Sequence, residues 1–414
     1  MNEEYIYNKL LVNSLEYIAE EKNGLYFSDP ILHIKRNRVT AEICRGLIRT
    51  CFEEYQEKID KMIQWLISNQ NKDGSWNEIH PFYNKPSALA TSFVAETLLL
   101  YYMKTQNPNL KEILRKSRDY ILSQEYFPGY FKKSEENYSD CLNVNAACGS
   151  FLAQYGKIFN DKKCINESYK TAHRVCYYQF NNGSFPYTTR DNGYPYPYHF
   201  YVPCIHYQGV TTYYLIKIQR IIEENWLHAA ILRATNWLAI TQKNNGKFDW
   251  SKSGLLFSYY LSGAYAFAYA LFKYSSIWND KYKINMKNSL KILEENIDKI
   301  AWRWETDTWR SFPFSTLISL KTALIGDYPL KHKLFRFGYG SYRQFARRRL
   351  SKEIDEKLFN NLKKILNIQH STIEPLNNYQ DLFMTSEILD CLSYSILPLN
   401  GGKNYSKTYV KSLL

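Results

Sequence analysis

Trp65-Leu-Ile-Ser-Asn-Gln70-Asn-Lys-Asp-Gly74-Ser-Trp76 decides the fold, because it recurs. An apolar helical run ends at a glutamine. A short loop with a glycine and an aromatic residue follows. The pattern returns at Tyr120-Ile-Leu-Ser-Gln124-Glu-Tyr-Phe-Pro-Gly129-Tyr130, at Cys176-Tyr-Tyr-Gln179-Phe-Asn-Asn-Gly183-Ser-Phe185 and at Trp237-Leu-Ala-Ile-Thr-Gln242-Lys-Asn-Asn-Gly246-Lys-Phe248. Gln70, Gln124, Gln179 and Gln242 are separated by 54, 55 and 63 residues. Ile365-Leu-Asn-Ile-Gln369-His370 is a fainter copy, 127 residues after Gln242, which leaves room for one unit between, at 293–300. Tyr17-Ile-Ala-Glu-Glu-Lys-Asn23-Gly24-Leu-Tyr26 is a weak early one.

Each copy is followed by a second helical pattern, at 88–103, 140–159, 201–219, 258–274, 314–325 and 378–396. These segments are rich in small and apolar residues, as in Leu261-Ser-Gly-Ala-Tyr-Ala-Phe-Ala-Tyr-Ala-Leu271. A helix apolar all round is buried all round. The preceding segments, such as 56–69 and 111–124, carry more Lys and Glu and read as amphipathic outer helices. A two-helix unit at a fixed period is a helical array. Alternation of polar outer with small-residue inner helices predicts closure, since an open solenoid does not need inner helices this apolar. The expected fold is all-α, an α/α toroid of about six hairpins, with 39–51 offering a seventh inner helix. The expected division is an N-terminal helical hairpin at 1–55 packed on a toroid at 56–414. β-strand signals are weak.

The composition of this 414-residue chain fits a globular protein: 45% hydrophobic and 22% charged residues. No run of about 18 apolar residues is present, so no membrane span is expected. Met1-Asn2-Glu3-Glu4-Tyr5 is acidic and lacks an apolar core, which argues against a secretory signal. Eight cysteines without a CxxC pair read as reduced core thiols. The expected compartment is the cytoplasm, with a peripheral place at the inner face of the membrane. There are 37 Tyr, 22 Phe and 9 Trp, enough to line a cavity, and the net charge of +13 suits an anionic partner.

The stretch Gln70…Asp73-Gly74-Ser75-Trp76 resembles the QW-type repeat of squalene and terpenoid cyclases and of protein prenyltransferase β subunits. Ala88-Leu-Ala-Thr-Ser-Phe-Val-Ala-Glu-Thr-Leu-Leu resembles the inner helix that follows it there. The architectural likeness extends to (α/α)6 glycosidases, polysaccharide lyases and uronyl epimerases. It implies a rim cavity fed by the outer-to-inner loops.

The chemistry of those families tests the chain. Terpenoid cyclisation needs DxDD, and diphosphate binding needs DDxxD. Neither occurs; the nearest match is Ser139-Asp140-Cys141-Leu142-Asn143. Zinc-dependent lanthionine cyclases need a Cys-His pair. Here Cys204-Ile-His206 would point its two side chains apart on a helix. No metal or cofactor is therefore expected. Sugar chemistry fares better. Tyr187, Tyr194, Tyr196, Tyr198 and Tyr201 crowd the loop before His206-Tyr207. Tyr rings stack on sugar faces, and a His beside a Tyr can take a proton α to a uronate carboxyl. Toroidal lyases use a similar Tyr/His/Asn/Arg group. The candidate catalytic residues are Asp140, His206, Tyr207, Glu305 and Asp381. The candidate substrate-binding residues are Trp76, His80, Asn143, Arg190, Tyr198, His199, Tyr260, Trp309, Arg310 and Tyr379.

Residues 331–352 carry eight Lys and Arg with interleaved aromatics, which suits anionic lipid headgroups. No nucleic-acid module accompanies them, so nucleic acid is not an expected partner. The leading expectation is an enzyme of cell-surface glycan or exopolysaccharide metabolism, acting on an acidic or lipid-linked saccharide as lyase, epimerase or hydrolase. An isoprenoid cyclase or transferase and a non-catalytic toroidal scaffold are the alternatives.

Overall fold

The computed structural model describes residues 3–28, 35–80, 83–135, 139–189, 201–249, 252–253, 261–295 and 382–396. Among them are twelve helices. They are α1 (Glu3–Leu15), α2 (Asn37–Thr50), α3 (Phe52–Ser68), α4 (Ala88–Thr105), α5 (Leu110–Ser123), α6 (Leu142–Phe159), α7 (Lys162–Tyr177), α8 (Ile205–Ile222), α9 (Asn225–Thr241), α10 (Leu261–Ser276), α11 (Tyr282–Glu295) and α12 (Leu382–Ile396).

The helices fall into two kinds, and composition sorts them. α5 buries Leu110, Leu114, Ser117, Tyr120 and Ile121, a stripe at helical spacing. Its other face carries Arg115, which pairs with Glu112 and Asp119 along the surface. α6 buries nearly every residue from Leu142 to Gly156. Its alanines, glycines and serine let neighbours approach from several sides. Gly149 is one such contact: a Cβ there would lie 2.8 Å from the Thr171 side chain of α7.

Six fully packed helices form an inner ring in which each touches the next: α2, α4, α6, α8, α10, α12, and back to α2. An outer helix lies on each: α3 on α2, α5 on α4, α7 on α6, α9 on α8, α11 on α10 and α1 on α12. The architecture is an α/α toroid of six hairpins among the described residues. The sixth pair joins opposite ends of the chain. Lys273 ties that seam, donating to Glu3 at 2.7 Å and to the Ser395 carbonyl at 2.7 Å.

Two expectations are met differently. Residues 37–50, within the segment expected as an added hairpin, stand in the inner ring between α12 and α4. The ring closes through α10 and α12, whereas the segment 314–325, expected as an inner helix, lies outside the described residues. The connections also contain β-structure: β1 (Ile18–Glu21) with β2 (Gly24–Phe27), β3 (Trp76–His80) with β4 (Tyr83–Ser87), and β5 (Glu125–Phe127) with β6 (Tyr130–Phe131), each an antiparallel pair. Strands this short inside loops have too few residues to show a period of two.

The repeat glutamine has a structural task. Gln70 donates to the Gly74 carbonyl at 3.1 Å and to the Ile113 carbonyl of α5 at 3.1 Å. Gln179 and Gln242 make the same bond to Gly183 and Gly246, at 3.0 and 2.9 Å. Each thus clamps its loop, and all three also reach the next outer helix, Gln179 at the Ala230 carbonyl and Gln242 at Ser289. The loops enter the inner helices on one rim, and tight turns leave them on the other. Gln106, Asn160 and Glu223, at φ of 56°, 53° and 54°, end α4, α6 and α8 there.

Candidate functional site

The first turns of the inner helices converge on the loop-bearing rim, so their partial positive charges meet there. A small cleft, with room for about 20 Å³ inside it, lies among the starts of α12, α2 and α4 and under β3. Arg36, Asn37 and Arg38 come from the start of α2; Leu89, Ala90 and Phe93 from α4; Phe383 from α12; Asn77, Glu78 and Ile79 from β3. Asn37 is 4% exposed, and its Nδ2 donates to the Asn77 carbonyl at 3.0 Å. Its Oδ1 has no hydrogen-bond partner among the described residues, although buried acceptors are nearly always satisfied. It is placed to accept from a ligand hydroxyl.

Arg38 is held between two rings, its guanidinium 4.4 Å from the Phe93 centroid and 4.5 Å from that of Phe383. It donates to Glu42 at 2.8 Å and, across the ring seam, to Glu387 of α12. The other oxygen of Glu387 lies 3.6 Å from His206 Nε2. Ser386 donates to the second oxygen of Glu42 at 2.5 Å. Arg38, Glu42, Glu387 and His206 thus form one charged chain across three inner helices. Burial raises the Glu42 carboxyl above the usual carboxylate range, with Asp390 adding to the rise against the pull of Arg38. His206 rests edge-on against Phe267, 5.6 Å between centroids.

A second charged layer lies one turn deeper. Arg45 and Arg49 both donate to Asp390, at 2.6 and 2.7 Å, and Lys217 donates to Glu96. All five groups are buried. Burial alone would raise Asp390 and Glu96, but the surrounding cations hold both below the carboxylate range. Burial also lowers the Lys217 ammonium.

The sequence-derived candidates separate cleanly. His206 joins the charged chain. Asn143, second in α6, is 6% exposed and its Oδ1 has no hydrogen-bond partner among the described residues. Tyr207 lies tilted against Tyr187, 4.4 Å between centroids, and edge-on to His206 at 5.1 Å. Asp140 is buried: its carboxylate takes Arg174 at 2.6 Å, Asn145 at 2.6 Å and Thr189 at 3.0 Å. A carboxylate so saturated anchors a loop and has little left for acid–base work. Trp76 is no wall residue. It is fully buried, its indole N–H donates to the Leu66 carbonyl at 2.7 Å, and it presents no surface to a ligand. His80 pairs with Tyr83 at the end of β3. Arg190, Tyr198, His199, Tyr260, Glu305, Trp309, Arg310, Tyr379 and Asp381 lie outside the described residues, as does the basic stretch 331–352.

Sequence reading missed Asn37, Arg38, Glu42 and Glu387. A signal was present: α2 is buried along almost its whole length, yet carries Arg38, Glu42, Arg45 and Arg49 at spacings of four, three and four. That is a charged stripe on an inner helix. Among the described residues no group of three or more His, Cys, Asp or Glu is placed to hold a metal ion. All eight cysteines are free thiols.

No family model matches the sequence, and no curated protein matches it. Solved structures do match the fold. Cellobiose 2-epimerase from Bacillus thermoamylovorans is similar at 8% identity over 71% of this chain and 87% of its own, with a TM-score of 0.55. An inactive variant of an α-1,6-mannanase of Salegentibacter sp., in complex with α-1,6-mannotriose, is similar at 11% identity over 96% of this chain and 100% of its own, with a TM-score of 0.54. A possible member of the GH105 family from Salmonella enterica serovar Paratyphi A is similar at 10% identity over 96% and 93%, with a TM-score of 0.58. The likeness is one of fold, and the fold is the α/α toroid.

Proposed function

We propose that this chain is a carbohydrate-active enzyme that moves a proton on a sugar at the rim cleft, as an epimerase, isomerase or lyase does. The observation that carries the reading is the chain Arg38–Glu387–His206, which runs from Arg38 in the cleft wall to the buried His206 where the inner helices begin. His206 is the acid–base group, since imidazole titrates near neutral pH. Glu387 orients its ring. Removing a proton from the carbon next to a carbonyl or carboxylate puts negative charge on oxygen, and Arg38 with the helix N-termini is placed to stabilise it. Phe93 and Phe383 give an apolar wall, and Asn37 Oδ1 an acceptor for a hydroxyl.

The names of the fold neighbours support the substrate class: an epimerase of a disaccharide and a mannanase holding a mannotriose. An acidic saccharide is supported by Arg36 and Arg38 at the cleft and by the net charge of +13. A role in cell-surface glycan metabolism, and the membrane contact through 331–352, belong to the same proposal. No helix among the described residues is long and apolar enough to cross a membrane.

Incubation with reducing mono- and disaccharides and with uronate oligomers in D₂O tests this. Proton NMR should show solvent deuterium entering the sugar, and His206→Asn should slow it by about 10²–10⁴ fold, the usual worth of a general acid–base group. New reducing ends without exchange would move the assignment to hydrolysis. Exchange at the wild-type rate in His206→Asn would overturn it.

A further inference from the structure

The repeat supplies its own comparison at the rim. Each inner helix puts its second residue at the same height, and five of those side chains are described: Arg38 in α2, Leu89 in α4, Asn143 in α6, His206 in α8 and Phe383 in α12. Four of them face the middle of the ring. Arg38, Leu89 and Phe383 line the cleft. His206 reaches Glu387 of α12 past Gly263 of α10. Asn143 holds the equivalent place in α6, which packs between α4 and α8. The rest of its helix agrees. Asn145 lies about 200° further round. It is the loop-facing amide, accepting from Phe131 N–H at 2.9 Å and donating to Asp140 at 2.6 Å. Gly149, on that same outer side, meets Thr171 of α7.

We propose that Asn143 is a specificity-determining residue of the sugar site, the acceptor for a substrate hydroxyl on the side of the rim away from Arg38 and Phe383. The proposal rests on the carbohydrate reading above and adds to it a sugar gripped from two sides, by Asn37 Oδ1 and by Asn143 Oδ1. Asn143 is buried, and its Oδ1 has no hydrogen-bond partner among the described residues. An acceptor left unpaired in the interior costs stability. Burial alone does not explain the omission, because Asn145, the same residue type in the same turn, has both ends of its amide bonded. Packing does not require an amide here either, since Leu89 and Phe383 fill the equivalent position with apolar side chains. What remains is a ligand that donates. A sugar hydroxyl does so, whereas a carboxylate or an ether oxygen has no proton to offer. This side of the site therefore reads the neutral hydroxyl edge of the sugar, and an acid group on the substrate lies toward Arg36 and Arg38. A site built around such a bond rejects the analogue that lacks the hydroxyl, because the acceptor then stays buried and unpaired.

Calorimetric titration with D-glucose, D-mannose, cellobiose and D-glucuronate, each beside its monodeoxy analogues, tests this. The wild type should bind at least one of these sugars, and about tenfold or more better than one of its deoxy analogues. Asn143→Leu should bind that sugar and that analogue alike, the sugar about tenfold or more worse than the wild type does. Without ligand it should melt no earlier than the wild type, because it removes an unpaired polar group. Asn143→Ala is the second variant, free of any crowding by the larger side chain. If both variants melt well below the wild type, the amide is structural and the assignment falls. If they fold and keep the wild-type discrimination, or if the wild type binds sugars without discriminating against any deoxy analogue, Asn143 reads no hydroxyl and the carbohydrate reading stands without it. A wild type that binds none of these sugars overturns both.

Discussion

At the scale of single residues, the site depends on what is missing as much as on what is present. Gly263, third in α10, faces the charged chain from between α8 and α12. A Cβ there would sit 3.0 Å from Glu387 Oε2 and 3.2 Å from His206 Cε1. Both neighbours are buried, so neither can swing into solvent. Gly263→Ala should therefore separate stability from activity. The helix gain of up to about 1 kcal/mol from Gly to Ala is offset by the crowding of two buried neighbours, about 1–3 kcal/mol, so the melting temperature should hold or fall slightly. The displaced Glu387–His206 pair should cost about tenfold or more in sugar exchange, since small misplacements of reacting groups are expensive. An unchanged exchange rate in a folded Gly263→Ala protein would remove the pair from the chemistry. Residue types alone did not disclose this site. His206 stood out in the sequence as a histidine in the first turn of an inner helix. Glu387 and Arg38 did not, because they are 349 residues apart and meet only across the closed seam.

At the scale of elements, the repeat was legible because the chain has to solve one packing problem again and again. The loop glycines Gly24, Gly74, Gly129, Gly183 and Gly246 all have positive φ. Gly74 shows why: at φ +90°, its Cβ would lie 2.4 Å from the Lys116 carbonyl oxygen of α5. The loop must touch the backbone of the next outer helix, and a side chain would push it away. Gly246 makes the same approach more loosely, with Asn288 Cβ nearest at 3.2 Å. Gly74→Ala should thus destabilise by about 1–3 kcal/mol, beyond the left-handed strain the two sites share, and Gly246→Ala by less. Denaturant midpoints of the two variants give the comparison, and equal losses would contradict the contact argument. α2 entered this reading only as an added seventh inner helix at 39–51, because charges at Arg38, Glu42, Arg45 and Arg49 break the apolar signature by which the other inner helices were found. The hairpins escaped it because their residues serve the loop contact first and the strand pattern second.

At the scale of the whole molecule, the toroid closes where the ends of the chain meet, and ion pairs cross that seam. Asp390 of α12 receives Arg45 and Arg49 of α2, side chains more than 340 residues away in sequence. Glu96 of α4 and Lys217 of α8 complete the layer. A buried layer of this kind costs desolvation on both signs, and its net worth over apolar packing is small. Breaking it is another matter, because a lone buried charge remains. Asp390→Asn should cost about 3–5 kcal/mol at neutral pH. The pH dependence follows from the cations that depress Asp390 and Glu96 in the folded chain. An unfolded carboxylate titrates near pH 4, so between that value and the lower folded one the unfolded chain binds more protons. The contribution of both groups is therefore present in full above about pH 5 and is lost as pH falls through 4 and below. Wild-type stability should drop across that acid window, and Asp390→Asn should drop less steeply because one of the two titrating groups is gone. Urea denaturation at a series of pH values from about 3 to 7 measures both slopes. If the slopes coincide, the seam is held by helix packing and the ion layer is a passenger. If they diverge as expected, the closure that brings Arg38 to Glu387 at the rim is secured one turn below it by Asp390.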